Sequence, residues 1–251
     1  MSITLRNLSA GYERHPAVHH ISGTFADGSL TAMVGPNGGG KSTLLKALVG
    51  FLPPMSGSID YGGVTPREIA YLPQQSEIDR AFPLSVAEVA AFGHWPRMGA
   101  FRGLDNKQKE AVARALVDVG MGAFADRPIE ALSSGQWQRV LFARLIVQDA
   151  RVLLLDEPFA AIDPRSAHDL THILQNWHGE GRTIIAVMHD MNSVREHFPE
   201  ALMLARELVA WGKAADVLKD ENLARAREMA EKRVTHAEAC ERGETDERRS
   251  A

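Results

Sequence analysis

The stretch Gly35-Pro36-Asn37-Gly38-Gly39-Gly40-Lys41-Ser42 fits the pattern G-x-x-x-x-G-K-[ST]. It lies between an apolar, strand-like run at Leu30–Val34 and a helix-like run at 43–49. Glycines in such a loop let backbone N–H groups turn toward an anion, and the start of the helix adds partial positive charge. Lys41 is expected to reach the β- and γ-phosphates of a nucleotide, and the Ser42 hydroxyl to ligate Mg²⁺. The pattern therefore predicts a strand–loop–helix unit that binds a nucleoside triphosphate.

Length and composition indicate a chain that can bury a full hydrophobic core. It has 251 residues, 45% of them hydrophobic and 24% charged. The formal net charge of −4 argues against binding to nucleic acid through a basic face, so no nucleic-acid partner is expected. Cys240 is the single cysteine, which excludes an intrachain disulfide framework and fits a reducing compartment. No apolar run approaches the roughly 20 residues that span a bilayer, so we expect a cytoplasmic protein that needs a partner to act at a membrane.

The hydrophobic pattern changes twice along the chain. A strand-like run is predicted at Ile3–Leu8, and further strand-like runs surround the loop. Helical spacing dominates from about 86 to 148, and alternating strand and helix patterns return at Val152. Helical spacing is clearest after Asp105, at Ala111, Val112, Ala115, Leu116 and Val119. These patterns predict a parallel α/β core, about 1–85 and 150–220, interrupted by a helical lobe of about 86–149. Residues 221–251 are rich in mixed charge and are expected to form a solvated helix or a disordered tail.

Two carboxylates end one of the most apolar strand-like runs. Asp156 and Glu157 directly follow Val152–Leu155 and precede Pro158. In a phosphate-loop ATPase or GTPase, the first acid is placed to hold Mg²⁺ and the second to polarise an attacking water. The alternative is a buried strand capped by surface acids, which the phosphate loop at this separation makes the weaker interpretation.

A second glycine- and serine-containing turn, Leu132-Ser133-Ser134-Gly135-Gln136, opens a helical pattern. Such a turn can bind an anion through the N–H groups at the start of the helix. It also fits an ordinary helix N-cap, and taken alone it favours that simpler interpretation.

Taken together, these residues resemble the nucleotide-binding subunit of bacterial ABC transporters over about residues 1–220. The resemblance implies a P-loop NTPase fold of the ABC ATPase type, with a RecA-like parallel core, an antiparallel β subdomain and an inserted helical lobe. It implies that Tyr12 stacks on adenine. It also implies that the triphosphate is bound by Gly35, Pro36, Asn37, Gly38, Gly39, Gly40, Lys41, Ser42 and Thr43.

The remaining elements of the family follow in the same order. Gln74 matches the Q-loop, and Ser133, Gly135 and Gln136 match the signature sequence, in which Ser134 stands where glycine is usual. Asp156 and Glu157 match Walker B and its catalytic glutamate, Asp163 matches the D-loop, and His189 matches the switch histidine.

Several of these residues also have simpler interpretations. Tyr12 alone fits a half-buried aromatic at the end of a strand, and Gln74 alone fits a polar turn residue. His189 follows an apolar strand and fits a core histidine, although the end of a strand in an α/β sheet favours a ligand-facing role. Asp163 before Pro164 fits a helix N-cap and could serve both purposes.

The resemblance implies an ATP-hydrolysing homodimer in which ATP lies between Walker A of one subunit and the signature helix of the other. Lys41 and His189 would meet the γ-phosphate from one side, and the partner subunit would contribute its own signature residues. Mg²⁺ would be held by Ser42, Asp156 and Gln74, and Glu157 would be the general base toward water. The helical lobe would dock onto integral membrane permease subunits at the cytoplasmic face of the membrane. A periplasmic or extracellular substrate-binding protein would take part indirectly.

The segment after the Q-loop bears on the cargo. Residues 75–86 combine a glutamine and acidic residues with Phe82-Pro83 and a short apolar helix, and are similar to the same segment in zinc and manganese importer ATPases. We therefore expect an importer for a divalent metal ion, zinc or manganese. ATPases of iron-siderophore or haem importers share much of this segment and form the alternative. An exporter subunit, which would differ from an importer only in this docking segment, is a less favoured alternative. A soluble ABC ATPase of DNA repair or chromosome organisation would carry long coiled-coil insertions, and no sustained heptads appear.

Two sets of side chains are candidate metal ligands. His236, Glu238 and Cys240 lie within five residues and could bind Zn²⁺ weakly, although a solvated tail with incidental ligands is the simpler interpretation. His168 and His172 lie one helical turn apart with no evident third ligand, so they are interpreted as exposed helix histidines.

Overall fold

The computed structural model describes residues 2–13, 15–99, 103–160 and 162–231. The tail ligands considered above, His236, Glu238 and Cys240, lie outside these residues. The strands are β1 (Ile3–Tyr12), β2 (His15–Phe25), β3 (Leu30–Val34), β4 (Ser56–Asp60), β5 (Ile69–Leu72), β6 (Val152–Asp156), β7 (Thr183–Val187), β8 (Glu200–Ala205) and β9 (Glu207–Lys213). The helices are α1 (Lys41–Val49), α2 (Val86–Ala91), α3 (Trp95–Met98), α4 (Asn106–Asp118), α5 (Ser134–Gln148), α6 (Pro164–Gly179), α7 (Met191–His197) and α8 (Ala214–Val217).

The described residues form two compact units. The first contains residues 2–3, 24–31 and 61–188, and the second contains residues 4–23, 32–60 and 189–231. The division falls within β3, after Thr31. The phosphate loop belongs to the second unit, and Asp156 and Glu157 belong to the first. Within the described part of the chain, no helix is both long and apolar enough to cross a membrane.

Parallel strands form the centre of the first unit. β5, β6 and β7 lie side by side in that order, with Leu72 opposite Leu155 and Asp156 opposite Val187. Every residue of these three strands is buried, which explains why their sequences are continuous apolar runs rather than alternating ones. Because the strands are parallel, the residues that follow β5 and β6 emerge at one edge of the sheet.

The helices α2, α4 and α5 pack against one another in the region predicted to be a helical lobe, and α5 also contacts β5. Each begins with a capping box, in which the N-cap side chain and the third helical residue exchange hydrogen bonds with the backbone; the pairs are Ser85 with Glu88, Asp105 with Gln108, and Ser133 with Gln136. The helical spacing noted in the sequence is confirmed for α4, whose buried residues are Val112, Ala115 and Leu116. In α5, Phe142 stacks on Trp177 of α6 with ring centroids 5.9 Å apart.

The second unit carries the phosphate loop. β3 leads into the loop, and within this unit β8 lies next to β3 and pairs in antiparallel fashion with β9. A separate antiparallel sheet has the order β2-β1-β4, with Leu5 opposite Ile59. The start of the charged tail is helical over residues 220–231. The expected order of strands and helices is thus found, while the predicted domain bounds remain a prediction.

Candidate functional site

The phosphate loop connects β3 to α1 in the second unit. Lys41 begins the helix, and its side chain is buried, with 6% of the residue exposed. Its Nζ atom donates hydrogen bonds to the backbone oxygens of Gly35 at 3.0 Å and Pro36 at 2.9 Å. Ser42 and Thr43 follow in the first turn of the helix. The loop therefore wraps around the ammonium group, and the charge is held at the N-terminus of α1.

Two glycines let this loop approach neighbouring strands closely. A Cβ atom at Gly35 would lie 1.9 Å from the backbone oxygen of Leu204 in β8. A Cβ atom at Gly40 would lie 2.3 Å from Cγ1 of Val18 in β2. No side chain fits at either position, so the loop presents backbone rather than side chains. A backbone cradle with one lysine is the arrangement that a phosphate group requires.

Arg206, which belongs to none of the sequence motifs, holds the phosphate loop in place through a hydrogen bond to the loop backbone. Its backbone N–H donates to Gly39 O at 2.8 Å, and its own carbonyl accepts from His19 N at 2.8 Å. Its guanidinium also donates to Pro16 O. The residue has a left-handed backbone, with φ of 67°, outside any glycine-rich pattern. Arg206 thus joins β2 to the phosphate loop through contacts that no local sequence pattern encodes.

The other two candidates of the second unit are exposed. Tyr12 ends β1 and is 51% exposed, which is compatible with stacking and equally with a half-buried aromatic at the end of a strand. His189 is also exposed, which disfavours its interpretation as a core histidine. It directly precedes Asp190, the N-cap of α7, whose carboxylate accepts hydrogen bonds from Asn192 N and Ser193 N.

The two acids and the glutamine meet at one edge of the first unit's sheet. Asp156 is the last residue of β6 and is 1% exposed. Gln74 and Glu157 each lie two residues beyond the paired residues Leu72 and Leu155. Gln74 Nε2 donates a hydrogen bond to Glu157 Oε2 at 3.0 Å. The structure therefore brings together Gln74, a predicted Mg²⁺ ligand, and Glu157, the residue predicted to activate the attacking water.

Glu157 has an unusual backbone conformation. Its φ of 51° lies in the left-handed region, which costs free energy for a residue with a side chain. Non-glycine residues in that region persist only where their surroundings hold them, and they are frequent in functional sites. This conformation directs the chain sharply away from β6 after Asp156.

The turn at residues 132–136, here called the signature turn after its predicted role, lies beside Asp163 within the first unit. Ser133 caps α5, with its Oγ accepting from Gln136 N at 3.2 Å. A Cβ atom at Gly135 would lie 3.5 Å from Oδ2 of Asp163, which itself caps α6 by accepting from Ser166 N at 2.9 Å. The hydrogen bonds from Ser166 hold the pKa of the Asp163 carboxyl below its usual value. The N-cap interpretations of the turn and of Asp163 therefore both hold in the structure.

Two polar side chains of α5 support the strand that leads to Gln74. Arg144 Nη2 donates to Tyr71 O at 2.6 Å, and Gln148 Nε2 donates to Ile69 O at 3.1 Å. Burial of the guanidinium lowers the pKa of Arg144 to about 10, because desolvation disfavours its charged form. These bonds fix β5 against the helix that begins at the signature turn.

The donors present fit Mg²⁺ better than a metal held by the protein alone. No group of three or more His, Cys, Asp or Glu side chains is placed to hold a metal in the part of the chain that the structure describes. Mg²⁺ commonly takes one or two carboxylates and completes its coordination with waters and substrate phosphates. Asp156 offers a hard carboxylate oxygen at the end of a strand, as such a site needs.

Comparison with known proteins gives matches over most of the chain. The family model described as ABC transporter matches residues 18–160. The zinc transport system ATP-binding protein TroB of Treponema pallidum is 36% identical, over 90% of this chain and 86% of its own. The manganese transport system ATP-binding protein MntB of Listeria innocua is 37% identical, over 88% of this chain and 94% of its own.

Solved structures match the fold as well. An inward-facing transporter described as being of the metal-chelate type superposes with a TM-score of 0.78 and 26% sequence identity. The match covers 88% of this chain and 87% of that chain.

Proposed function

The chain belongs to the ABC transporter family, and from that membership we propose that it is the ATP-hydrolysing subunit of an importer for a divalent metal ion, zinc or manganese. The observation that carries the cargo assignment is the identity of 36–37% to relatives named for zinc and manganese transport, over about nine tenths of the chain. Residues 1–220 form the ABC ATPase domain in this proposal, with a core of about 1–85 and 150–220 and a helical lobe of about 86–149. Residues 221–251 form a charged tail.

In the proposed reaction, Glu157 acts as the general base. Its carboxylate takes a proton from water as the water oxygen bonds to the γ-phosphorus of ATP, and the bond from that phosphorus to the β–γ bridging oxygen breaks. ADP and phosphate are the products. The hydrogen bond from Gln74 supports this assignment, because it fixes one oxygen of the carboxylate. Asp156, Ser42 and Gln74 are the proposed ligands of Mg²⁺, which neutralises charge on the phosphates when bound.

The remaining site residues bind the nucleotide. Tyr12 stacks on adenine, the loop from Gly35 to Thr43 holds the triphosphate, and His189 contacts the γ-phosphate. The bond geometry of Lys41 supports the loop assignment, because its ammonium is already held at the start of α1.

The proposed assembly is a homodimer bound to permease subunits. Ser133, Gly135 and Gln136 of one subunit contact the ATP held by the other, and Asp163 lies beside them at the same face. A signature turn that opens a fifteen-residue helix supports an anion-binding role. The subunits act at the cytoplasmic face of the membrane through the permease, and a substrate-binding protein delivers the ion.

A second cargo is favoured by one observation. The solved transporter that superposes at a TM-score of 0.78 is described as being of the metal-chelate type. An iron-siderophore or haem importer is therefore the alternative. Growth of a deletion strain under a metal chelator, with zinc, manganese or chelated iron added back separately, distinguishes the two. Rescue by zinc or manganese at levels that the parent strain does not need supports the first proposal, and rescue by chelated iron alone supports the second.

Substitution of the proposed base tests the enzymatic part. Glu157→Gln keeps the size of the side chain and removes its basicity, so we expect hydrolysis to fall on the order of 10²–10⁴-fold. ATP binding and dimer formation should persist in this variant. Glu110→Gln on the exposed surface of α4 is the matched control and should keep its activity. Turnover above half the wild-type value in Glu157→Gln would refute the assignment.

A further inference from the structure

Gln138 is a buried polar residue on α5 that no motif assigned. It lies five residues after Ser133 and is 1% exposed. Its neighbours Trp137, Val140 and Leu141 are buried apolar residues. A glutamine at such a position is costly unless its amide is fully hydrogen-bonded, and so its partners should explain its presence.

Both ends of the Gln138 amide are bonded to loops of the candidate site. Its Oε1 accepts from Gln75 Nε2 at 2.6 Å, and its Nε2 donates to Pro158 O at 2.7 Å. Gln75 is the neighbour of Gln74, and Pro158 is the neighbour of Glu157. One side chain thus joins the segment that follows β5 to the segment that follows β6.

These bonds complete a closed ring of contacts that includes the proposed base, Glu157. Gln74 Nε2 donates to Glu157 Oε2, two peptide links connect these residues to Gln75 and Pro158, and Gln138 completes the circuit. All of its members belong to the first unit. The spacing between the two loops is therefore set by one buried amide as well as by the strands.

The ring acts on a residue whose conformation needs support. Glu157 has φ of 51°, and a strained backbone persists only where contacts on both sides hold it. Pro158 lacks an N–H group, so its carbonyl is its one backbone hydrogen-bonding group, and Gln138 bonds that carbonyl. The backbone oxygen of Glu157 also accepts a hydrogen bond from Ala160 N at 3.1 Å. Loss of the Gln138 bond would therefore loosen this segment at Pro158 without opening the whole turn.

We propose that Gln138 is a positioning residue that fixes the carboxylate of Glu157 for proton transfer by clamping the Gln74–Gln75 and Glu157–Pro158 segments together. The inference rests on the proposed function, in which Glu157 is the base. Gln138 acts through its neighbours and contacts neither water nor ATP in this role. Because catalysis is sensitive to displacements of about 1 Å, releasing the clamp lowers the rate of the chemical step more than it lowers binding.

Gln138→Met tests this role, with Gln148→Met as the matched control. Both glutamines are buried on α5, and methionine fills nearly the same volume. The side-chain amide of Gln148, however, bonds Ile69 O at the start of β5 and does not join the two loops. In the full-length chain we expect Gln138→Met to lower kcat for ATP roughly 10- to 100-fold with KM within about twofold. Gln148→Met should leave kcat within about threefold.

A second readout separates positioning from general damage. In a Glu157→Gln background the base is already absent, so adding Gln138→Met should change the single-turnover rate less than about twofold. Hydrogen exchange should rise at the backbone amides of residues 74, 75, 157, 159 and 160 in Gln138→Met and not in Gln148→Met. This measurement needs no activity, and it reports on the clamp itself.

The outcomes are distinct. Equal kcat losses in the two methionine variants, a raised KM with unchanged kcat, or a further tenfold loss in the Glu157→Gln background would each overturn the positioning role. High turnover of Glu157→Gln alone would overturn the base assignment, and that result is visible without any Gln138 variant.

Discussion

The two ends of α1 allow a controlled test of how tightly the phosphate loop is packed. Gly40 precedes the helix with φ 89° and ψ 9°, and Gly50 ends it with φ 86° and ψ 10°. Alanine at either position therefore adds the same methyl group in the same left-handed backbone. The surroundings differ, since nothing lies within 4 Å of a Cβ atom at Gly50.

The expected magnitudes follow from these surroundings. Left-handed backbone costs an alanine about 1–2 kcal/mol, and the loss of unfolded-state freedom offsets about 0.4–1 kcal/mol of that. Gly50→Ala should therefore cost roughly 1 kcal/mol. At Gly40 the Cβ atom would lie 2.3 Å from Val18 Cγ1, whereas ordinary van der Waals contact begins at 3.4 Å. The loop or Val18 must therefore move by about 1.1 Å, the difference between 3.4 and 2.3 Å. Val18 is fully buried, and such overpacking adds about 1–3 kcal/mol.

Urea unfolding and ATP titration of both variants check this reasoning. A difference of about 2 kcal/mol, at an m-value of about 3 kcal/mol/M, separates the two midpoints by about 0.7 M. We also expect Gly40→Ala to weaken ATP binding at least about tenfold, or about 1.4 kcal/mol, because the loop must shift. Gly50→Ala should bind within about twofold of wild type. Midpoints within about 0.2 M of each other, or greater destabilisation by Gly50→Ala, would show that the packing argument is wrong.

Three further predictions concern single side chains. Lys41→Ala removes the loop's ammonium and should abolish measurable ATP binding, and a nucleotide titration with unchanged affinity would contradict this. Phe142→Ala should lower the free energy of unfolding by about 3–5 kcal/mol, since the ring is fully buried and stacks on Trp177; urea unfolding measures the loss, and a value below about 1 kcal/mol counts against it. Hydrogen bonds from Ser166 lower the pKa of the Asp163 carboxyl in the folded protein below its ordinary value of 3.8. The ionised carboxylate therefore stabilises the folded state at pH values above 3.8, and this contribution is lost as the pH falls through the lower folded pKa. Asp163→Asn should therefore flatten the acid side of a Tm–pH profile, and an unchanged slope would be evidence against the cap.

The strand and helix order was predictable because the core strands are continuous apolar runs. Leu30–Val34 is found with the predicted bounds, and β6 extends the predicted Val152–Leu155 by one residue. The first strand was predicted to end at Leu8 and extends to Tyr12 instead. Ser9, the first residue beyond the predicted end, is polar, but it is 6% exposed and its Oγ accepts a hydrogen bond from His20 N in the neighbouring strand. A polar residue that is satisfied within a sheet cannot be recognised before its partner is placed.

The same reason explains which parts of the candidate site escaped prediction. Phosphate loops and strand-end acids are local patterns, so a reader of the sequence can find them. Gln138 bonds residues that are 63 and 20 positions away, and Arg206 bonds Pro16 and His19 across more than 180 positions. No local signal marks Gln138, because it lies in the polar first turns of α5, between Gln136 and Arg139. Only the parallel pairing of β5 with β6 brings its partners together.

The structural and functional interpretations of the signature turn are compatible. Ser133 was open to both, and its Oγ does accept a capping hydrogen bond from Gln136 N. A serine hydroxyl has one donor and two acceptor positions. The capping hydrogen bond uses one acceptor position, so the O–H group can still donate to another partner. Phosphate oxygens accept hydrogen bonds, and so they compete for the donor only. The cap therefore fixes the position of Oγ and supports anion binding, because it reduces the freedom that the side chain would lose on contact with a phosphate.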